Sequence, residues 1–316
     1  MKMGTGKKSA GRRAGPLAKR QNGEALKNSP ANRRATPKNT SKPSRQSKAL
    51  ACSDIDIEHW RDYDHIETDS LWLFDSRGRQ NGHKLDYHGN CVPQILTQLL
   101  SRFTKKGEII LDLFLGSGTS AIEAVNLDRR AIGVELKPEL AEYVREKLSD
   151  QDKSTQAEVI NGDSANTKWT GKAIEKALQK FGAEKAQFLF LHPPYADIIR
   201  FSELENDLSN AEGTEEFLDE FEKVCQTGYA QLAAGRYAAL VIGDKYENGE
   251  LIPLGFYCME RMKRAGFKTK SIIVKNITGN EKAKGKTGNL WRYRALVGGF
   301  YIFKHEYVIL FEKPAK

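Results

Sequence analysis

Leu111-Asp112-Leu113-Phe114-Leu115-Gly116-Ser117-Gly118-Thr119-Ser120-Ala121 is the stretch from which the rest of the chain can be read. Ile109–Leu113 predicts a short buried strand, and Thr119–Asn126 predicts the helix that follows. A Gly-x-Gly-x-x-Ala loop between a strand and a helix lets main chain close around a nucleotide-like ligand. Gly116 permits the tight turn, Gly118 lets the backbone approach a ligand, and Ala121 lets the helix sit near the sheet. Ala131–Val134 reads as the next strand and runs into Glu135, seventeen residues after Gly118, placed to accept bonds from ribose hydroxyls. Asp163, in Asn161-Gly162-Asp163-Ser164, follows a third strand at Val159–Ile160, from which it can reach an adenine ring. Asp112, Phe114, Ser117 and Thr119 complete the expected cofactor-binding set.

Outward from the loop the same alternation continues. Ile95, Leu96, Leu99, Leu100 and Phe103 line one face of a helix over Pro93–Phe103. Pro138 suits the first turn of another helix, with Leu140, Tyr143, Val144 and Leu148 on one side. Phe188–Leu191 predicts a fully buried fourth strand and Tyr237–Ile242 a fifth. Ile272–Val274, Phe300–Phe303 and Val308–Phe311 predict a final antiparallel set. The fold class is therefore α/β, a doubly wound and mostly parallel sheet with a terminal antiparallel hairpin.

The fourth strand runs straight into His192-Pro193-Pro194-Tyr195. No second nucleotide half follows, which sets a nicotinamide enzyme aside. Loop and tetrapeptide together resemble the AdoMet-dependent amino-methyltransferases acting on DNA, over roughly residues 86–312. Their loop typically reads Asp-Pro-Phe-x-Gly-Ser-Gly-Thr, and Leu113 stands here where proline is usual. Their tetrapeptide is Asp-, Asn- or Ser-Pro-Pro-Tyr; this chain departs from it at His192. In many members the tetrapeptide comes first, whereas here it follows the loop. Tyr87-His88-Gly89-Asn90-Cys91-Val92-Pro93-Gln94 resembles the segment that closes over the methionine end of AdoMet, and Tyr301–Phe311 resembles the family's closing hairpin.

The resemblance implies a class I, Rossmann-like methyltransferase fold, AdoMet as cofactor and double-stranded DNA as partner. It implies transfer of a methyl group to the exocyclic amino nitrogen of adenine (N6) or cytosine (N4) in a flipped base. His192, Pro193, Pro194 and Tyr195 become the expected catalytic set. An aromatic amine is a poor nucleophile because its lone pair is delocalised into the ring. Acceptors held around its hydrogens favour a tetrahedral nitrogen. Two prolines can fix a carbonyl as one acceptor, His192 can be the other when neutral, and Tyr195 can stack on the base. Imidazolium cannot accept, so a pH dependence follows. The alternatives are an RNA base methyltransferase and a non-catalytic DNA-binding subunit of the same fold.

Recognition is expected from two insertions, because the chain ends soon after the hairpin. One is 196–228, with Asp197, Arg200, Phe201 and an acidic helix around Glu215–Glu222. The other, 275–299, reads as a Gly-rich basic loop in which Lys282, Lys284, Lys286, Trp291, Arg292 and Arg294 form the nucleic-acid-binding set.

Charge divides the chain. Residues 1–50 hold eight Lys and six Arg against Glu24, with no aromatic residue and four of the ten prolines. With +9 overall and +13 in the first fifty, the other 266 residues carry −4. So little apolar surface cannot offset the entropy of ordering, which predicts a disordered basic tail over 1–52 and a methyltransferase domain over 53–316. Its readings are a phosphate-binding arm, a targeting signal or a solubilising tail. No run of 18 apolar residues exists, so no membrane span is expected. Cys52, Cys91, Cys225 and Cys258 form no CxxC pair, so no metal site is expected. Missing secretion and membrane signals make the cytoplasm the expected location, at the nucleoid in a prokaryote. No oligomeric state is written in the sequence.

Overall fold

In the computed structural model the described residues are 50–78, 90–196, 200–277 and 288–315. They belong to one compact unit, Gln46–Lys316. The expected basic tail lies almost wholly outside them.

The chain order is β1 (Leu71–Trp72), α1 (Pro93–Phe103), β2 (Ile109–Asp112), α2 (Thr119–Asn126), β3 (Arg130–Glu135), α3 (Pro138–Ser149) and β4 (Ala157–Asn161). There follow α4 (Thr167–Lys180), β5 (Ala186–Leu191), α5 (Thr214–Gln231), β6 (Leu232–Ile242), β7 (Lys245–Glu247) and β8 (Glu250–Ile252). The last elements are α6 (Leu254–Arg264), β9 (Lys268–Asn276), α7 (Gly288–Gly298) and β10 (His305–Glu312). Eight strands form one sheet in the order β1-β9-β10-β6-β5-β2-β3-β4, and β7 pairs only with β8. Within the large sheet β10 alone runs against its neighbours, β6 and β9.

Alternation along the strands builds two cores. Ile109, Leu111, Leu189, Leu191, Leu240 and Ile242 face α4, α5 and α6, while Ile110, Phe188, Phe190, Ala239 and Val241 face α1, α2 and α3. Every central strand is buried on both sides, which is why those strands read as continuous apolar runs.

The expected doubly wound sheet is present, with differences in detail. Phe300–Phe303 is not a strand, since β10 starts at His305. The expected hairpin is an antiparallel β9–β10 pair whose connection contains α7. The 196–228 insertion is shorter than expected. From Thr214 onward it is α5, the crossover helix between β5 and β6, which buries Phe217, Leu218, Phe221, Val224 and Cys225 in the core. Its acids face outward, where Arg261 of α6 pairs with Glu215, Asp219 and Glu222. The second insertion is not a plain loop either, because Trp291, Arg292 and Arg294 lie on α7.

Strand order reverses at β2, with β3 and β4 to one side and β5 and β6 to the other. Ligands of open α/β sheets sit outside the carboxyl ends of the strands at such a switch point. Asp112 pairs with Phe190, two residues ahead of His192, so the register brings loop and tetrapeptide to the same level of the sheet.

Candidate active site

Two buried carboxylates organise the cofactor edge. Asp112, at the end of β2, accepts the N–H of Phe114 at 2.8 Å and the hydroxyl of Ser120 in the first turn of α2. Burial pushes its pKa up to about 6. Glu135, at the end of β3, accepts N–H groups from Gly116 at 2.8 Å and Lys137 at 3.0 Å, tying the glycine loop to the neighbouring strand. Burial lifts its pKa to about 7, against the lowering effect of those N–H bonds. Ser164 donates to the carbonyl of Leu113 at 2.7 Å, which holds the turn carrying Asp163 against the end of β2. Asp163 accepts the N–H of Ala165 at 2.8 Å. Phe114 packs on α5, stacked on Phe221 with centroids 6.5 Å apart. Ser117 bonds to Asn90, and Thr119 is buried at the start of α2.

The two glycines exchange the roles expected of them. Gly118 has φ +81°, and a Cβ there would meet Val144 Cγ1 at 2.7 Å. Its missing side chain lets α3 pack close, so Gly118→Leu is a folding variant and not a probe of ligand contact. Gly116, at φ +54°, has only the Phe114 carbonyl near its Cβ position, at 3.9 Å, and supplies the open approach.

The tetrapeptide rests on a buried relay. Tyr195 donates its hydroxyl to Glu306 Oε2 at 2.8 Å, and Lys275 Nζ donates to Glu306 Oε1 at 2.9 Å. Glu306 and Lys275 are register partners on β10 and β9, and the Lys275 side chain is 4% exposed. The tyrosine ring lies over Gly243, where a Cβ would come within 3.0 Å of it. Burial, reinforced by Glu306, raises the Tyr195 pKa well above its ordinary value, so the hydroxyl stays a donor. His192 lies edge-on to Tyr195 with centroids 6.0 Å apart. Burial lowers its pKa, Glu306 acts the other way, and Lys275 and Arg77 add to the lowering. The imidazole is therefore held toward its neutral, accepting form.

The structure thus places Asp112, Phe114, Gly116, Ser117, Gly118, Thr119, Glu135 and Asp163 beside His192, Pro193, Pro194 and Tyr195 at the carboxyl edge of β2–β5. Lys282, Lys284, Lys286, Asp197 and Tyr87–Gly89 lie outside the described residues. Arg292 and Tyr293 are exposed on α7, and Arg294 stands over the Trp291 ring at 5.3 Å. Sequence reasoning assigned no role to Lys275, Glu306 or Arg77. The signal was a charge at the end of each of two facing apolar strands, legible only once their pairing is known. Among the described residues no His/Cys/Asp/Glu group could hold a metal, and no helix is long and apolar enough to cross a membrane.

Residues 16–146 match the DNA methylase family of N6/N4 methyltransferases, a span holding the glycine loop and Glu135. Over that span the chain is similar to the N6/N4 DNA methylases. A second family, described as conserved hypothetical protein 95, matches residues 94–216 and takes in the tetrapeptide. The chain is 30% identical over 119 residues to the type II methyltransferase M.BglI of Bacillus subtilis, covering 38% of this chain and 31% of that one. It is 25% identical over 180 residues to the probable type III restriction-modification enzyme HindVI Mod subunit of Haemophilus influenzae, covering 55% and 21%. The chain therefore spans between about a fifth and a third of the length of these relatives. A methyltransferase structure from Pyrococcus furiosus superposes with a TM-score of 0.43 at 15% identity, over 72% of this chain and 88% of that one.

The donor set fits AdoMet. The buried carboxylates of Glu135 and Asp112 are of a kind that could accept ribose hydroxyls and an ammonium, and the loop is open at Gly116. Ionised Glu135 spends two acceptor positions on main-chain N–H groups and would have others left for ribose hydroxyls. Protonation removes acceptors, so AdoMet affinity should weaken as pH falls from 8 to 6 through the raised pKa of about 7. Glu135→Gln should bind ~10–100-fold more weakly at pH 8 and lose most of that slope, the part below about pH 6 belonging to Asp112. Calorimetric titration across this range checks it; a Glu135→Gln affinity equal to wild type would remove the ribose role.

Proposed function

We propose that the protein methylates the exocyclic amino nitrogen of adenine (N6) or cytosine (N4) in DNA after the base is flipped. The observation that carries this reading is His192-Pro193-Pro194-Tyr195 leaving β5 directly beside the glycine loop of β2. AdoMet, when bound, supplies an electrophilic methyl group. The chain's own part is to hold the amine. His192, kept neutral by burial, accepts one amino hydrogen, and a carbonyl of the Pro193–Pro194 turn accepts the other. Tyr195, fixed by Glu306, offers a ring held in one orientation for the base. Incubation with methyl-labelled AdoMet and either DNA or tRNA, followed by mass spectrometry of the nucleosides, tests the reading. Label in N6-methyladenine or N4-methylcytosine of DNA is the expected result. Label confined to tRNA would make it an RNA enzyme, and binding of DNA and AdoMet without transfer would make it a non-catalytic subunit.

Helix α7 is the proposed recognition element. It presents Tyr293, Leu296 and Val297 at 64–71% exposure between and beyond Arg292 and Arg294. If these arginines read base edges, replacing either with alanine should reduce discrimination at one base pair by ~1–3 kcal/mol. Methylation profiling on a randomised duplex library measures this. An unchanged site preference with a shallower salt dependence would make them phosphate contacts.

A further inference from the structure

Arg77 contrasts with five well-shielded cations that each have a carboxylate partner. Arg129 pairs with Asp54, Arg236 with Glu108, Lys245 with Glu247, Arg261 with three acids and Lys275 with Glu306. The half-buried Arg77 guanidinium has no carboxylate partner among the described residues. Its Nη1 donates to the carbonyls of Asn90, at 2.8 Å, and Cys91. Its Nη2 lies 3.5 Å from the Thr119 hydroxyl at the mouth of the glycine loop. Its Nε is buried with no partner among the described residues. A buried charge without its counterion is costly, and a guanidinium fork matches a carboxylate. The guanidinium, with no carboxylate partner among the described residues, faces the start of α2, whose first turn carries no acid.

We propose that Arg77 binds the α-carboxylate of the methionyl end of the cofactor, making 50–78 part of the binding site. The inference rests on the AdoMet reading of the loop. Asp112, buried at the end of β2, supplies the opposite charge for the α-ammonium, so the two ends of the zwitterion have separate partners. The carbonyl bonds of Asn90 and Cys91 fix the guanidinium, which makes Arg77 and the 90–92 segment one support.

The test is ligand discrimination. AdoMet and 5′-methylthioadenosine share the nucleoside, and only AdoMet has the amino-acid end. Full-length wild type, Arg77→Ala and Arg77→Lys are titrated with each by calorimetry, after circular dichroism and thermal melting confirm folding. Arg77→Ala should weaken AdoMet by ~10–100-fold and leave 5′-methylthioadenosine within about twofold, with Arg77→Lys between wild type and Arg77→Ala for AdoMet. Equal losses for both ligands would show that Arg77 only braces Asn90 and Cys91. Unchanged AdoMet affinity would overturn the proposal outright. Should Arg77→Ala fail to fold, Arg77→Lys carries the comparison, and AdoMet weakened no more than 5′-methylthioadenosine would overturn it. A wild-type protein that binds neither ligand would remove the cofactor reading and this inference with it.

Discussion

Glu306→Ala should destabilise the protein by ~3–5 kcal/mol, because it leaves the Lys275 ammonium buried and unpaired. The pair is well shielded, at 4% exposure for the lysine side chain and 13% for the glutamate. The same change releases the Tyr195 hydroxyl, which is buried against Glu306 and would then lack an acceptor. Urea unfolding measures the loss. Lys275→Met combined with Glu306→Leu should recover most of the stability, since an apolar pair of similar volume replaces the ions without a desolvation penalty. Methyl transfer should stay impaired in the double variant, because Tyr195 is still unanchored. That contrast separates a positioning role from simple bracing. A Glu306→Ala protein within about 0.5 kcal/mol of wild type would show that the relay contributes little.

His192→Ala should lower the single-turnover rate by ~10²–10³, the usual effect of losing one preorganised hydrogen bond at developing charge. AdoMet affinity should stay near wild type, because the cofactor's expected partners are on β2, β3 and β4. Burial lowers the His192 pKa, so the neutral acceptor survives below the ordinary imidazole value, and the acid-side fall in rate should lie under pH ~6.5. With AdoMet kept saturating, so that protonation of Glu135 does not limit binding, a single-turnover rate that falls already above that pH would contradict a depressed pKa. Tyr195→Phe keeps the ring over Gly243 but gives up the bond to Glu306, and Tyr195→Ala gives up both. The alanine variant should be the slower of the two by the ~1–3 kcal/mol that base stacking contributes. A wild-type rate in His192→Ala would move the second acceptor to another residue.

The local elements of this protein are written in short-range pattern. α1, α2 and the start of α3 fall on the residues that periodicity and Pro138 indicate, because one apolar stripe at helical spacing has few other uses. The apolar runs of β2, β3 and β5 announce strands covered on both faces, and the glycine loop between strand and helix points to the cofactor edge. Other elements were missed for identifiable reasons. α4 exposes most of its length and buries only a narrow stripe through Thr170, Gly171, Ile174, Ala177 and Leu178. The β7–β8 hairpin turns on Asn248-Gly249, both at positive φ, a short signal hidden between longer elements. α5 looked like an acidic insertion because its outward face answers Arg261, a residue about forty positions away.

What tertiary structure alone decided is the pairing of distant charges. Lys275 reads in sequence as the first cation of a basic loop, yet the β9–β10 register buries it against Glu306. Tyr195 joins that pair across more than a hundred residues, and Arg77 reaches Thr119 across 42. Gly118 seemed shaped for a ligand until α3 placed Val144 beneath it. Periodicity encodes which face of an element is apolar, because that depends only on neighbours along the chain. Which charge meets which depends on strand order and register. These are settled by the burial of whole faces at once, so no local window contains them.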